Sequence, residues 1–163
     1  MPKFKTALFG ILSLAGLLLS GSLAAQALDV NVVGGLKTAT PIVVVPFAQS
    51  GGAPLPTDVA SVIQNDFNRS GKFRSLDRSE IVEQPSRGAD IHFATWRLLK
   101  QDFLTLGRIS DAGGGMVRVD YELWDINKQQ SMLAKSYTAP VGELRKVAHQ
   151  IDDARAERVV RAR

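Results

Sequence analysis

The side chains that come closest to an acid–base catalytic set are Asp120, Glu122, His92 and His149. The two carboxylates stand two residues apart in an alternating segment, so they are expected on one face of a strand. Because Arg118 shares that face, the pattern favours a solvated row of ion pairs. The two histidines are far apart in sequence and no Gly-x-Ser-x-Gly motif is present. A hydrolase that uses Asp120 or Glu122 with His92 or His149 stays an alternative, and it requires these groups to converge in one pocket.

Other reactive or ligand-binding chemistry finds little support in the sequence. The absence of cysteine excludes disulfides, zinc–thiolate sites and iron–sulfur clusters. Gly51-Gly52 lies between a predicted strand and a predicted helix, but Pro54 and Pro56 remove amide donors and the Gly-x-Gly-x-x-Gly spacing is missing. A plain connecting loop is therefore predicted there. We expect no catalytic residue, no metal site and no cofactor.

The formal charge of +4 lies at the two ends of the chain. Residues 28–153 hold 14 basic and 15 acidic residues, a net charge of −1. Since the body of the chain carries no basic excess, nucleic acid is not expected as a partner.

The first 27 residues have the organisation of a secretory signal. Lys3 and Lys5 precede an apolar stretch, Ala7 to Leu19, and Ala25-Gln26-Ala27 follows. This order predicts a Sec-type signal peptide with cleavage after Ala27. A retained membrane anchor is the rival interpretation, but the apolar stretch is short for a span of roughly 20 residues. We expect an exported chain with no membrane span after cleavage.

The first half of the remaining chain is organised around one apolar segment. Pro41 to Phe47 contains consecutive β-branched residues, which predicts a central strand covered on both faces. The two prolines of this segment are expected to mark where strand pairing begins and stops. A helix is predicted from Thr57 or Asp58 to Ser70, with Gly71 ending it, and Phe73 to Leu76 follows as a short strand.

The second half is predicted as a short helix, a meander and a final helix. Phe93, Trp96 and Leu99 share one helical face. Phe103 to Ile109 and Met116 to Ile126 are predicted as the two strands of a hairpin, and a third strand covers roughly Ser131 to Thr138. The last helix begins after Pro140, with an apolar stripe of Leu144, Val147, Ala148 and Ile151. The predicted fold is α/β, close to α+β, with a mixed sheet, a carboxy-terminal meander and two or three packed helices.

Residues 154–163 form an arginine-rich tail that conflicts with this stripe. Continued as a helix, Arg155 and Arg158 fall within the apolar stripe, where burying unpaired guanidinium groups is costly. The sequence therefore predicts that residues 154–163 do not pack as a continuation of the last helix.

Residues 28–35 are predicted as a strand or a strand-forming arm. Apolar and polar residues alternate from Leu28 to Val32, and Gly34-Gly35 follows Val33. From composition alone, an ordinary edge strand of the domain's own sheet is favoured over an arm that binds a partner.

Several motifs together resemble the amino-terminal domain of the TolB family, from the Tol-Pal envelope system of Gram-negative bacteria. The resemblance runs from about Leu28 to Asp153. The motifs are Val32-Val33-Gly34-Gly35, Pro41 to Phe47, Ser70-Gly71-Lys72-Phe73, Trp96-Arg97, Gly107-Arg108, Tyr121 to Asp125, Arg145 and Ala148-His149.

The resemblance implies a periplasmic, non-enzymatic protein that supports outer-membrane integrity and envelope constriction during cell division. It also implies that the amino-terminal arm docks on the carboxy-terminal domain of TolA. The matching positions are Leu28, Asp29, Val30, Asn31, Val32 and Val33. The alternation of apolar and polar residues at these positions suits docking by strand addition, in which a segment pairs with the edge of a partner's sheet.

Family members continue into a β-propeller that binds the lipoprotein Pal, and the sequence given stops before it. Pal is therefore expected as a partner only where a propeller is present. The arginine-rich ending departs from the family pattern and is interpreted as aberrant. A non-functional truncated fragment is the alternative to a binding component.

Overall fold

A computed structural model describes residues 39–161. Within this range the chain forms six β-strands and three α-helices. In chain order they are β1 (Thr40–Val44), β2 (Ala48–Ser50), α1 (Val59–Ser70), β3 (Phe73–Ser75), α2 (Phe93–Leu98), β4 (Phe103–Gly113), β5 (Met116–Asp125), β6 (Gln130–Pro140) and α3 (Leu144–Arg161). Short 3₁₀ turns lie at Arg78–Glu80, Gly88–Asp90 and Val141–Glu143.

The strands form one mixed sheet in the order β3-β1-β4-β5-β6. β1 pairs in parallel with β3 and β4, while β4, β5 and β6 are successive antiparallel strands. The predicted mixed sheet and carboxy-terminal meander are thereby confirmed. β2 pairs in parallel with β4 further along, at Arg108 to Ser110. The sequence predicts only a connecting loop around Gly51-Gly52, and no pattern in it indicates this strand.

β1 is the buried centre of the parallel part of the sheet, as predicted. Ile42 and Val44 belong to the core on one face, while Val43 and Val45 belong to the core on the other. All four are at most 1% exposed. The pairing with β4 breaks around Pro46 and resumes in β2, because proline has no amide to donate.

The first core layer consists of α1 and α3 packed on one face of the sheet. α1 begins after Asp58, whose side chain accepts a hydrogen bond from the Ser61 amide at 3.0 Å. It ends at Gly71, whose φ of 66° is the left-handed conformation that glycine adopts at little cost. Both predicted ends of this helix are confirmed. On β5, Val117, Val119, Tyr121 and Leu123 all face this layer.

The second layer covers only the parallel part of the opposite face. Trp96 of α2 is fully buried there, in a cluster with Val43 and Leu104. Phe93 and Leu99 pack against the same cluster, which confirms the predicted apolar face of α2. Next to this second layer, the face of β5 that points away from α1 and α3 carries polar side chains.

The prediction for the end of the chain is wrong, because α3 continues without interruption through Arg161. Its apolar stripe is buried as predicted, at Leu144, Val147, Ala148 and Ile151. The helix then buries Arg155 completely and Val159 almost completely. The reason is that the residues after Ala154 suit a helix, and an ion pair between Arg161 and Glu157 supports its last turn.

Candidate functional site

The predicted TolA-binding positions, residues 28–33, lie outside the described residues, as does the predicted signal peptide. Within residues 39–161, no helix is long and apolar enough to cross a membrane. The candidate sites that the structure describes are the polar face of β5, the two histidine pairs and the buried Arg155.

Asp120 is held in a network of ion pairs and hydrogen bonds. Its Oδ1 lies 2.9 Å from Arg118 Nε and accepts a hydrogen bond from the Ser136 hydroxyl. Its Oδ2 lies 3.7 Å from Arg108 Nη2. Partial burial alone raises the pKa of Asp120, but the Ser136 hydroxyl and the two guanidinium groups outweigh it and leave the pKa lowered. A carboxylate held ionised in this way is suited to structure and not to donating a proton.

Glu122 is held by neighbours of its own on the same face. Its Oε2 accepts a hydrogen bond from Trp124 Nε1 at 2.8 Å, and its Oε1 lies 3.9 Å from Arg108 Nη1. The same Arg108 nitrogen donates to the Ser86 carbonyl at 3.0 Å. The predicted row of ion pairs is therefore confirmed, and it also fastens the loop before α2 to the sheet.

Neither histidine pairs with these carboxylates. His92 Nδ1 lies 3.1 Å from Glu83 Oε2, and His149 Nδ1 lies 2.5 Å from Asp66 Oδ2. His149 is on α3, which packs on the opposite face of the sheet from Asp120 and Glu122. Asp120 and Glu122 therefore share no pocket with His149, and the imidazole of His92 is engaged by Glu83.

The Gly51-Gly52 loop lines a cavity of about 250 Å³ and is held by hydrogen bonds of its own. The Gln49 amide donates to the carbonyls of Gly51 and Ala53, at 3.2 and 2.8 Å. The loop is thus tied to itself through its carbonyl groups. Among residues 39–161, no group of three or more His, Asp or Glu side chains could hold a metal ion.

Arg155 is the most unusual side chain in the described structure. Its guanidinium lies over the Tyr121 ring, 4.9 Å from the ring centre, and Tyr121 stacks on Tyr137. None of its three nitrogens has a hydrogen-bond partner. Burial lowers the pKa of Arg155 to about 9, even though Tyr121 and Asp152 act in the opposite direction. The cost of this burial can be predicted from the sequence, but the helix accepts it and continues.

Asp152 lies one turn before Arg155, beside the contact between α1 and α3. A surface pocket brings it together with Asp66, Asp153, His149 and Arg69. Burial and the nearby Asp66 carboxylate raise the pKa of Asp152 to about 6, from an ordinary value of 3.8. One buried oxygen of this carboxylate, Oδ1, has no hydrogen-bond partner. The ionised form of Asp152 is therefore unfavourable in the folded chain.

Asp152→Asn is expected to stabilise the fold in a pH-dependent way. Folded Asp152 holds its proton more tightly than the unfolded chain does, so its penalty is absent below pH 3.8 and complete above about pH 6. Relative to the unmodified chain, the variant should gain stability as pH rises through this window, by about 1 kcal/mol after allowing for solvent screening.

Urea unfolding at about pH 4.5 and about pH 7.5 measures this difference. Asp90→Asn, at an exposed aspartate outside this pocket, is the matched control. A difference between Asp152→Asn and the unmodified chain that does not change with pH would contradict the assignment.

The fold and its paired polar side chains define a layered α/β domain with a mixed sheet and structural ion pairs. The profile of the TolB amino-terminal domain family matches residues 28–132. The chain belongs to this family, which confirms the resemblance found in the sequence.

Two relatives and one solved structure agree with this assignment. The chain is 45% identical over 139 residues to the Tol-Pal system protein TolB of Xanthomonas campestris pv. campestris and to that of Xanthomonas euvesicatoria pv. vesicatoria. Each alignment covers 85% of this chain and 32% of the relative. The crystal structure of TolB from Acinetobacter baumannii matches with a TM-score of 0.62 at 26% identity, over 74% of this chain and 28% of that one. The chain spans about a third of the length of these relatives.

Proposed function

We propose that this domain is a protein-binding component of the Tol-Pal system and that its residues 28–33 dock on the carboxy-terminal domain of TolA. The observation that carries the proposal is the match to the TolB amino-terminal domain family, which begins at residue 28. The Tol-Pal names of relatives at 45% identity support the same system.

The mechanism of docking is strand addition by the arm. Leu28, Val30 and Val32 alternate with Asp29 and Asn31, so one side of an extended arm is apolar and the other polar. Backbone hydrogen bonds supply affinity and the apolar side chains supply selectivity. Ordering six free residues costs roughly 1–2 kcal/mol each, which the new pairing must offset.

The proposed setting is the periplasm, and the proposed role is non-enzymatic. The signal-like organisation of residues 1–27 supports export. The ion pairs that hold Asp120 and the partners that hold both histidines support a domain without catalytic chemistry. Through TolA, the domain would support outer-membrane integrity and envelope constriction during cell division.

Calorimetric titration of the TolA carboxy-terminal domain with the chain tests the docking. Deletion of residues 28–35 is expected to abolish the heat of binding, because the backbone partner is removed. Val30→Asp should weaken binding strongly by placing a charge on the apolar side, by about 10-fold or more. Asn31→Asp adds the same charge on the polar side and is the matched control. Binding that survives the deletion would contradict the proposal.

A further inference from the structure

β6 leaves one long edge of the sheet without a strand partner. It runs from Gln130 to Pro140 and pairs only with β5 among the described strands. In an antiparallel strand, alternate residues direct their N–H and C=O groups to each side, so about half of these groups face outward. Such an edge is a template for an added strand.

A cavity of about 370 Å³ lies at the start of this edge, between the β5–β6 turn and the end of α3. The bulge in the β5–β6 pairing leaves Met132 opposite no residue of β5, since Leu133 pairs with Leu123 and Ser131 with Trp124. Met132 lines the cavity together with Ser131. An extended segment paired with β6 would therefore pass directly over this groove.

The charged lining of the groove is mainly basic. Lys128, Arg158 and Arg161 face one carboxylate, Asp125. That carboxylate is already engaged, because it accepts a hydrogen bond from the Lys128 amide at 2.8 Å and lies 3.5 Å from Lys128 Nζ. Arg161 pairs with Glu157. Arg158 makes no ion pair with any residue from 39 to 161, so it supplies the uncompensated positive charge of the groove.

The same charges disfavour a second copy of this chain as the strand partner. Lys135 is exposed in the middle of β6. An antiparallel pair of β6 edges centred on Lys135 would place the two Lys135 side chains next to each other, where their like charges repel. A segment rich in carboxylates would instead be attracted by these positive charges.

We propose that the β6 edge and its basic groove bind an acidic, extended segment of a partner protein by strand addition. The backbone of that segment pairs with β6, and its carboxylates contact Arg158 and Lys128. The proposed site is formed by described residues of β5, β6 and α3, so it does not rest on docking of residues 28–33 to TolA.

Fluorescence anisotropy with a labelled nine-residue peptide of alternating Glu and Thr tests the proposal on the full chain. Threonine favours the extended conformation and glutamate supplies the carboxylates. Arg158→Glu is expected to weaken binding by about 10-fold or more, since it replaces an attraction with a repulsion. Arg145→Glu makes the same charge change at an exposed residue in the first turn of α3, outside the groove, and should change binding less than about twofold.

Two further probes separate strand pairing from charge alone. A Glu and Thr peptide interrupted by proline keeps the carboxylates but loses backbone donors, and it should bind at least about 5-fold more weakly. Equal binding of both peptides, equal losses in the two arginine variants, or no binding at about 1 mM peptide would overturn the proposal. Arg158-dependent sedimentation with phosphatidylglycerol vesicles, without peptide binding, would assign the groove to a lipid surface and overturn it as well.

Discussion

Replacing Arg155 with methionine is expected to stabilise the folded chain by about 2 kcal/mol at neutral pH. The guanidinium is fully buried and its three nitrogens have no hydrogen-bond partner. A buried donor left without an acceptor carries the full desolvation penalty, of about 1–3 kcal/mol for a neutral group and more for a charged one. Methionine keeps an unbranched side chain that fills irregular space and removes the charge.

Two favourable contacts of Arg155 limit the gain. The guanidinium faces the Tyr121 ring at 4.9 Å, an interaction worth about 2 kcal/mol or more when desolvated. The charge of Asp152 also favours the protonated arginine. Because the pKa of folded Arg155 is about 9, the side chain still carries its charge at neutral pH, and the full penalty of burying that charge is present there. The expected net effect is therefore stabilising.

Urea unfolding of Arg155→Met beside the unmodified chain at about pH 7 measures the effect. Arg158→Met is the matched control, because it makes the same substitution at an exposed position of the same helix. It should change the free energy of unfolding by less than about 0.5 kcal/mol. A loss of stability in Arg155→Met would show that the guanidinium makes a stronger interaction than the ring contact provides.

Arg155 also shows where reasoning from the sequence reached its limit. The spacing correctly predicts that Arg155 lies in the apolar stripe of α3, but the cost of burying it does not end the packed helix. Extending an existing helix is favourable for residues such as Ala154, Ala156 and Glu157, and Val159 adds apolar burial one turn further. The aromatic face that receives the guanidinium comes from β5, and no local pattern in α3 could reveal it.

Local signals did determine much of the fold. The β-branched residues of β1, the alternation along β5 and the Asp58 and Gly71 caps of α1 are visible in sequence because each depends on neighbouring residues. β2 was missed because its three residues are exposed and carry no apolar period. Its pairing with β4 is set by the strand before it. The hydrogen bonds of Glu122 and Arg108 likewise depend on contacts between distant segments.

Gly107→Ala is expected to destabilise the fold by about 2–3 kcal/mol. Gly107 lies in β4 opposite Tyr121, on the face covered by the helices. A Cβ at this position would lie 2.5 Å from Phe47 Cε2 and 2.7 Å from the Asp120 carbonyl oxygen. The Phe47 ring can shift only by disturbing the core against which it packs, and the Asp120 carbonyl belongs to the neighbouring strand. The absence of a side chain here therefore allows β4, β5 and Phe47 to approach closely.

Thermal and urea unfolding of Gly107→Ala measure this loss, with Gly142→Ala as the matched control. A Cβ at Gly142 meets no atom within 4 Å, so that variant should be neutral or slightly more stable through the reduced entropy of its unfolded state. Adding Phe47→Leu to Gly107→Ala removes the ring that the new methyl group meets and separates the two clashes. If Gly107→Ala costs about half as much in the Phe47→Leu background, measured against Phe47→Leu alone, the ring and the carbonyl contribute comparably. A Gly107→Ala protein as stable as the unmodified chain would show that β4 and β5 have room for a side chain at this pair, contrary to the packing described above.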